Sequence, residues 1–223
     1  MLAGFMNLWR GEPLMKKAIS RFADMLVCDE FLFSEAWEVL NGNRVIEDIK
    51  QDFYAQDKAV NQYEHEIRRI LLEHLSFHPT KDVPGSLALM SLVKDAERIG
   101  DYAKNIFEVG VMLEGKSKDL KYLKRLSTIQ KQVAENFPAL KNAFLDSDEP
   151  AAKKILQGYA PAKVELNNLL QDLFEEQLET REAVATALLS RYLKRINSHL
   201  SNIASGIIYP LDQIDFVQGD LLE

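Results

Sequence analysis

Cysteine is nearly absent from this 223-residue chain: Cys28 is the only one. A single cysteine cannot form an internal disulfide or a thiolate zinc cage. Its setting, between Leu26-Val27 and Phe31-Leu32, predicts a buried thiol in a reducing cytoplasm. Histidine is scarce too, with four residues. The positions three before His65, His74, His78 and His199 hold Gln62, Leu71, Leu75 and Ile196. None is glutamate, so the Glu-x-x-His pairs of a ferritin-like di-iron bundle are missing. There is no glycine-rich phosphate loop, no nucleophile signature and no basic stretch interleaved with aromatics. Basic residues number 27 against 34 acidic ones, a net charge of −7. That balance argues against non-specific nucleic-acid binding, which needs a basic field. No apolar run reaches the roughly 18–20 residues of a membrane span. The first residues, MLAGFMNLWRGEPLMKK, place their charges after the apolar part, opposite to a secretory leader. Leu2, Phe5, Met6, Leu8 and Trp9 are expected to pack as a first turn on the chain's own core, in preference to docking on a partner or a bilayer.

What is present is helical periodicity nearly throughout, with no convincing strand. Breakers divide the chain into six long helices. The first is expected over 13–40, ending at Asn41-Gly42-Asn43, and the second over 45–75, ending near His78-Pro79. The third starts near Asp82, with Pro84 in its first turn, and ends near Gly115. Lys116-Ser117-Lys118 links it to a fourth helix over 120–145, interrupted or kinked by Pro138. Asp146-Ser147-Asp148-Glu149-Pro150 is a helix start, opening a fifth helix that is kinked near Pro161 and ends near 178. Thr180 is expected to cap a sixth helix that ends near Tyr209-Pro210. Long helices joined by short links must run antiparallel to their neighbours. The architecture is therefore all-α, with units at 1–116 and 117–210 and a tail at 211–223.

The reason for two units is a repeated motif. DAERIGDYAKNI (95–106) recurs in degraded form as YLKRINSHLSNI (192–203). Arg98-Ile99 returns as Arg195-Ile196, and Asn105-Ile106 as Asn202-Ile203. Glu97 and Asp101, four apart on one helix face, become Lys194 and Ser198. The chain thus reads as an internal duplication of a three-helix unit that keeps its acidic pair in the first copy only. Asp57 and Asn61 have the same spacing on the second helix. If the second and third helices pack antiparallel, the two pairs can face one another, and facing oxygen ligands in bundles build sites for hard or borderline cations. Asp95 diverges from that face. Lys121, Lys124, Arg125 and Lys131 read as a solvated face. His199 reads as a helix-surface or interhelical polar group.

Taken together, these motifs resemble the PhoU family of phosphate-uptake regulators over roughly 18–209. Asp57-Lys58-Ala59-Val60-Asn61 resembles the family's second-helix motif. Pro79, Asp82 and Glu97 follow its order on entry to the third helix, and Arg191-Tyr192-Leu193 leads into the second signature. The resemblance implies two three-helix repeats and a cytoplasmic, non-catalytic adaptor that relays phosphate sufficiency between a phosphate transporter and a membrane sensor kinase. It reaches the membrane only through those partners and leaves a homo-oligomer open. Relatives bind divalent or iron-type metal through Glu/Asp-x-x-x-Asp motifs. Carried over, the ligands are Asp57, Asn61, Glu97 and Asp101, with neutral Asn61 the weaker ligand. The second-repeat positions correspond to Lys163, Asn167, Lys194 and Ser198, where two lysines would repel a cation. At most one metal site is expected, in the first repeat. Lys163 and Lys194 are left to face acids, to bind an anion such as phosphate, or to stand solvated. Val83-Pro84 departs from the Leu-Arg that commonly follows the family's aspartate.

Two other readings remain open. A metal-dependent enzyme would recruit further acids such as Glu64 or Glu108. A purely structural scaffold would have the motif acids paired with Arg98, Lys104 or other bases instead of facing each other.

Overall fold

The computed structural model describes residues 12–114 and 116–214. Over them the chain is helical, with no strand: α1 (Pro13–Leu40), α2 (Ile46–Phe77), α3 (Val83–Leu113), α4 (Leu123–Asp146), α5 (Glu149–Glu175) and α6 (Thr180–Ile208). The 116–118 link is a single 3-10 turn, Lys116–Asp119, and another, Leu211–Gln213, follows α6. Leu2, Phe5, Met6, Leu8, Trp9, Gly115 and the tail beyond 214 lie outside the described residues.

The helix boundaries follow local chemistry. Asp148 caps α5 as its carboxylate accepts from the Ala151 amide at 3.0 Å, with Pro150 in the first turn. α3 begins behind Asp82, held at φ 59°, in the left-handed region. Pro138 and Pro161 sit inside helices that continue past them. Thr180 is the first residue of α6 and not its cap. Glu179 holds the cap position, without a side-chain hydrogen bond.

One continuous apolar core runs through both repeats. α2 packs on α1 and α3, and α5 on α4 and α6, so these two helices form the flanks. The repeats join through equivalent helices. α1 meets α4 by aromatic contacts, Phe22 on Phe144 (4.7 Å between centroids) and Phe33 on Phe137 (5.3 Å). α3 meets α6 in antiparallel register: Gly206 lies against Leu92, and Arg181 bonds the Met112 carbonyl. Tyr102 stacks on His199 at 5.8 Å, and these two residues occupy the same position of the duplicated motif. Asp95, 7 % exposed, takes hydrogen bonds from His199 Nδ1 (2.7 Å) and Asn202 Nδ2 (2.9 Å). A buried carboxylate needs such partners, and this is where the interhelical role of His199 lies.

Two glycines of α3 mark close crossings with α1. A Cβ on Gly110 would stand 3.2 Å from both the Leu40 Cα and the Leu40 nitrogen, so α1 and α3 touch backbone to backbone there. A Cβ on Gly100 would meet Asp29 Oδ1 at 3.1 Å and Val60 Cγ1 at 3.3 Å.

Candidate functional site

The signature face of α3 looks toward α2. Phe53 of α2 stacks on Phe107 of α3 at 4.1 Å and sets the register of the two helices. Asp57 and Asp101 then come close enough for Asp57 to help raise the Asp101 pKa. The larger causes are burial and Glu97, one turn away, with Arg98 opposing.

Each motif acid has a base at hand. Lys104 Nζ sits 2.9 Å from Asp57 Oδ2 across the helix pair. Lys94 Nζ is 2.6 Å from Glu97 Oε2 and 3.8 Å from Glu64 Oε1. Arg98 reaches Asp101 at 3.2 Å and Glu97 at 3.7 Å. Asn61 turns its amide onto its own helix, donating to the Asp57 carbonyl at 3.1 Å. Glu64, proposed as an extra ligand for an enzyme, is also held by Arg68 at 2.9 Å. Glu108 lies close enough to Lys104 to help keep its ammonium charged, behind the stronger effect of Asp57. The structure thus brings the acids of α2 and α3 to one face and laces them with ammonium and guanidinium groups, the pairing that the scaffold reading anticipates.

The residue missed by the sequence reading is Asp29 of α1. It is fully buried, and among the described residues neither carboxylate oxygen has a hydrogen-bond partner. It lies under Gly100, between the motif acids. Burial pushes its pKa well above the ordinary aspartate range, and Glu97 and Asp101 push it further. A signal was available: Phe22, Leu26, Asp29, Phe33 and Ala36 share the inward face of α1, so an acid there interrupts a core stripe.

A hard cation wants several oxygens converging on one point. Asp29 offers two partnerless oxygens beside Glu97 and Asp101, but the outer acids are already in ion pairs. Among the described residues no three His, Cys, Asp or Glu side chains converge as a metal-ligand set. As arranged, the face fits a closed ionic lattice better than an open cage.

The corresponding face of the second repeat has the opposite charge. Lys194 Nζ donates to Asn167 Oδ1 at 2.7 Å, Lys163 lies over the Tyr159 ring at 5.7 Å, and Ser198 is half-buried one turn on from Lys194. Of the cations expected on the fourth helix, Lys124 and Lys131 are exposed, whereas Arg125 and Lys121, the latter just before α4, are paired. Arg125 bridges Glu165 (2.7 Å) and Asp172 (2.5 Å) of α5, and Lys121 pairs with Glu176. They fasten α4 to α5.

Comparison with known proteins agrees with this architecture. The family model for the PhoU domain matches residues 22–109, within the first three helices. A phosphate-specific transport system accessory protein PhoU homolog of Deinococcus radiodurans is 24 % identical over 206 residues, covering 89 % of this chain and 94 % of its own. Its counterpart in Xylella fastidiosa strain 9a5c is 23 % identical over 167 residues, covering 70 % of this chain and 68 % of its own. PhoU from Pseudomonas aeruginosa superposes with a TM-score of 0.79 at 22 % identity, over 90 % of this chain and 97 % of that one. The phosphate transport system regulatory protein PhoU from Streptococcus pneumoniae does so with 0.70 at 17 %, over 89 % and 96 %. Residues 22–109 thus match the PhoU domain, with the signature on α3, and the six-helix bundle as a whole has the fold of the solved PhoU structures.

Proposed function

We propose that this chain is a cytoplasmic, non-catalytic regulator of phosphate transport that works by docking on a phosphate transporter, a membrane sensor kinase, or both. The observation that carries the reading is the match to a phosphate-specific transport system accessory protein homolog over 89 % of this chain, which spans both repeats. The ionic lattice supports a binding role over catalysis. Its acids are tied down by Lys94, Arg98 and Lys104, which leaves none poised as a general base. Among the described residues no helix is long and apolar enough to cross a membrane, so contact with the bilayer would run through the partner.

A cation belongs to this proposal only in the first repeat. Asp57, Asn61, Glu97 and Asp101 would hold it, with Asp29 as an added carboxylate. The three bases would have to swing aside first, so its affinity would be low. The deciding experiment is affinity capture of the tagged chain from membranes of its host. Recovery of a phosphate permease or phosphate-responsive sensor kinase is the expected result. Repeated capture with neither, from cells that express both, would overturn the adaptor role.

A further inference from the structure

Where the end of α3 meets the start of α6, the seam opens into an apolar groove of about 440 Å³. Val109, Leu113 and Ala185 are its buried lining, with Leu188 half-buried beside them. Met112 and Val184 stand at its edges, 68 % and 52 % exposed. Arg181 is at the rim and donates to the Met112 carbonyl; among the described residues it makes no other hydrogen bond and no ion pair. The opposite end of the same seam shows what such a surface takes. α3 and α6 carry the two motif copies and run antiparallel, with Gly206 against Leu92, so the chain leaving α6 meets the first half of α3. There the protein supplies its own cover. The turn Leu211–Gln213 packs back on α3, Leu211 rests on the core and Ile214 is buried. The chain leaving α3 goes another way: its turn, Lys116–Asp119, packs on α3 and α4, and Ser117 bonds the Leu40 carbonyl.

We infer that this groove docks a short segment of a partner protein in which two aliphatic side chains three residues apart flank an acidic one, the pattern of Leu211-Asp212-Gln213-Ile214. The aliphatic pair would cover the lining between Met112 and Val184, and burying such side chains drives the contact. The carboxylate would take the Arg181 guanidinium, a charge-assisted pair that sets the direction of the segment. Other occupants fit less well. A second copy of the chain would need a standard interface of about 20–30 residues a side, whereas nine residues line the groove. A bilayer surface calls for a basic face, whereas the rim also carries the acid Glu179. The inference gives the adaptor reading a docking surface and rests on that reading only for the identity of the partner.

The test uses the full chain with isotope-labelled methionine methyls, titrated by magnetic resonance with the synthetic peptide Tyr-Pro-Leu-Asp-Gln-Ile, the sequence of residues 209–214. The Met112 resonance is expected to shift saturably at millimolar peptide, while those of Met15 and Met25, buried in α1, stay in place. Val184→Glu and Arg181→Glu are each expected to weaken binding about fivefold or more, as is lysine in place of the peptide's aspartate. Glu179→Gln, which removes a like charge from the rim, is expected to bind the peptide at least as tightly as wild type. A Met112 resonance that does not move overturns the proposal, as does equal binding by Val184→Glu with unchanged helicity. A dimer seen by sedimentation that Met112→Glu dissociates assigns the groove to a second copy and overturns it too. The peptide assay involves no transporter or kinase, so a silent groove leaves the adaptor reading standing, and failed membrane capture leaves the groove standing.

Discussion

Asp29→Asn should stabilise the protein at neutral and alkaline pH and do nothing for it in acid. The unfolded carboxyl titrates at its ordinary value, near 3.8, whereas burial and the charges of Glu97 and Asp101 raise it well above that in the folded chain. Between those two values the folded state holds a proton that the unfolded state has released. Stability is therefore lost as pH rises through that window and stays lower above it. Asparagine keeps the shape, which matters because Gly100 leaves little room beside Oδ1. It still buries an unsatisfied amide, so it saves only the ionic part of the penalty. An unsatisfied buried group costs about 1–3 kcal/mol, with charged groups at the upper end or beyond. With a urea slope of about 3 kcal/mol per molar for a chain of this size, the midpoint at pH 8 should rise by roughly 0.3–1 M. The assay is urea unfolding of chelator-treated wild type and variant from pH 4 to pH 8, followed by helical circular dichroism. The curves should converge toward pH 4 and separate as pH rises. A variant no more stable than wild type at pH 8, or an advantage that grows toward acid, would refute the assignment of Asp29 as a buried, partnerless acid.

Gly110→Ala forces a methyl onto the Leu40 backbone, where no side chain can move aside, and should destabilise the fold by about 1–3 kcal/mol in the same unfolding assay. Asp95→Ala strands Asn202 and His199 at the α3–α6 seam and should cost about 1–3 kcal/mol; Asp95→Asn, which keeps an acceptor, should cost less. Lys94→Gln/Lys104→Gln frees Glu97 and Asp57, so manganese retained after dialysis should exceed that of wild type by elemental analysis; equal retention would count against a cation site between α2 and α3. Arg125→Met unfastens α4 from α5, but its pairs are partly exposed. The loss should stay near or below about 1 kcal/mol and shrink further in high salt.

The helices were legible because apolar spacing and breakers are local properties. Observed boundaries fall within a few residues of the expected ones, the cap of α6 being Glu179, one residue before the expected Thr180. The likeness of the two motif copies is legible because they keep Arg-Ile and Asn-Ile at matching positions. The state of the acidic face was not. Lys94 and Glu97 are three apart, and their pairing could have been anticipated. Lys104 finding Asp57 depends on the rotation of α2 against α3, which the Phe53–Phe107 stack fixes across 54 residues of sequence. Asp29 stands outside the motif spacing, and its signal in the sequence is a charge interrupting an apolar stripe. Arg125 shows the same limit: it meets Glu165 and Asp172 only once α5 has folded back, while Lys124 and Lys131 are exposed as expected.

Tyr102 stacked on His199, its own counterpart, is the kind of contact a two-fold axis makes in an isologous homodimer, here closed within one chain. In a dimer of identical three-helix units every substitution is made twice. An acid changed to lysine would then remake both flanks at once, and a tyrosine at the axis would always face a tyrosine. Covalent fusion removes that constraint. One flank can keep Glu97 and Asp101 while the other takes Lys194 and Ser198, and the axis can pair an aromatic ring with an imidazole that also holds Asp95. The seam thus lets a single chain present two unlike faces to its surroundings while keeping one shared core.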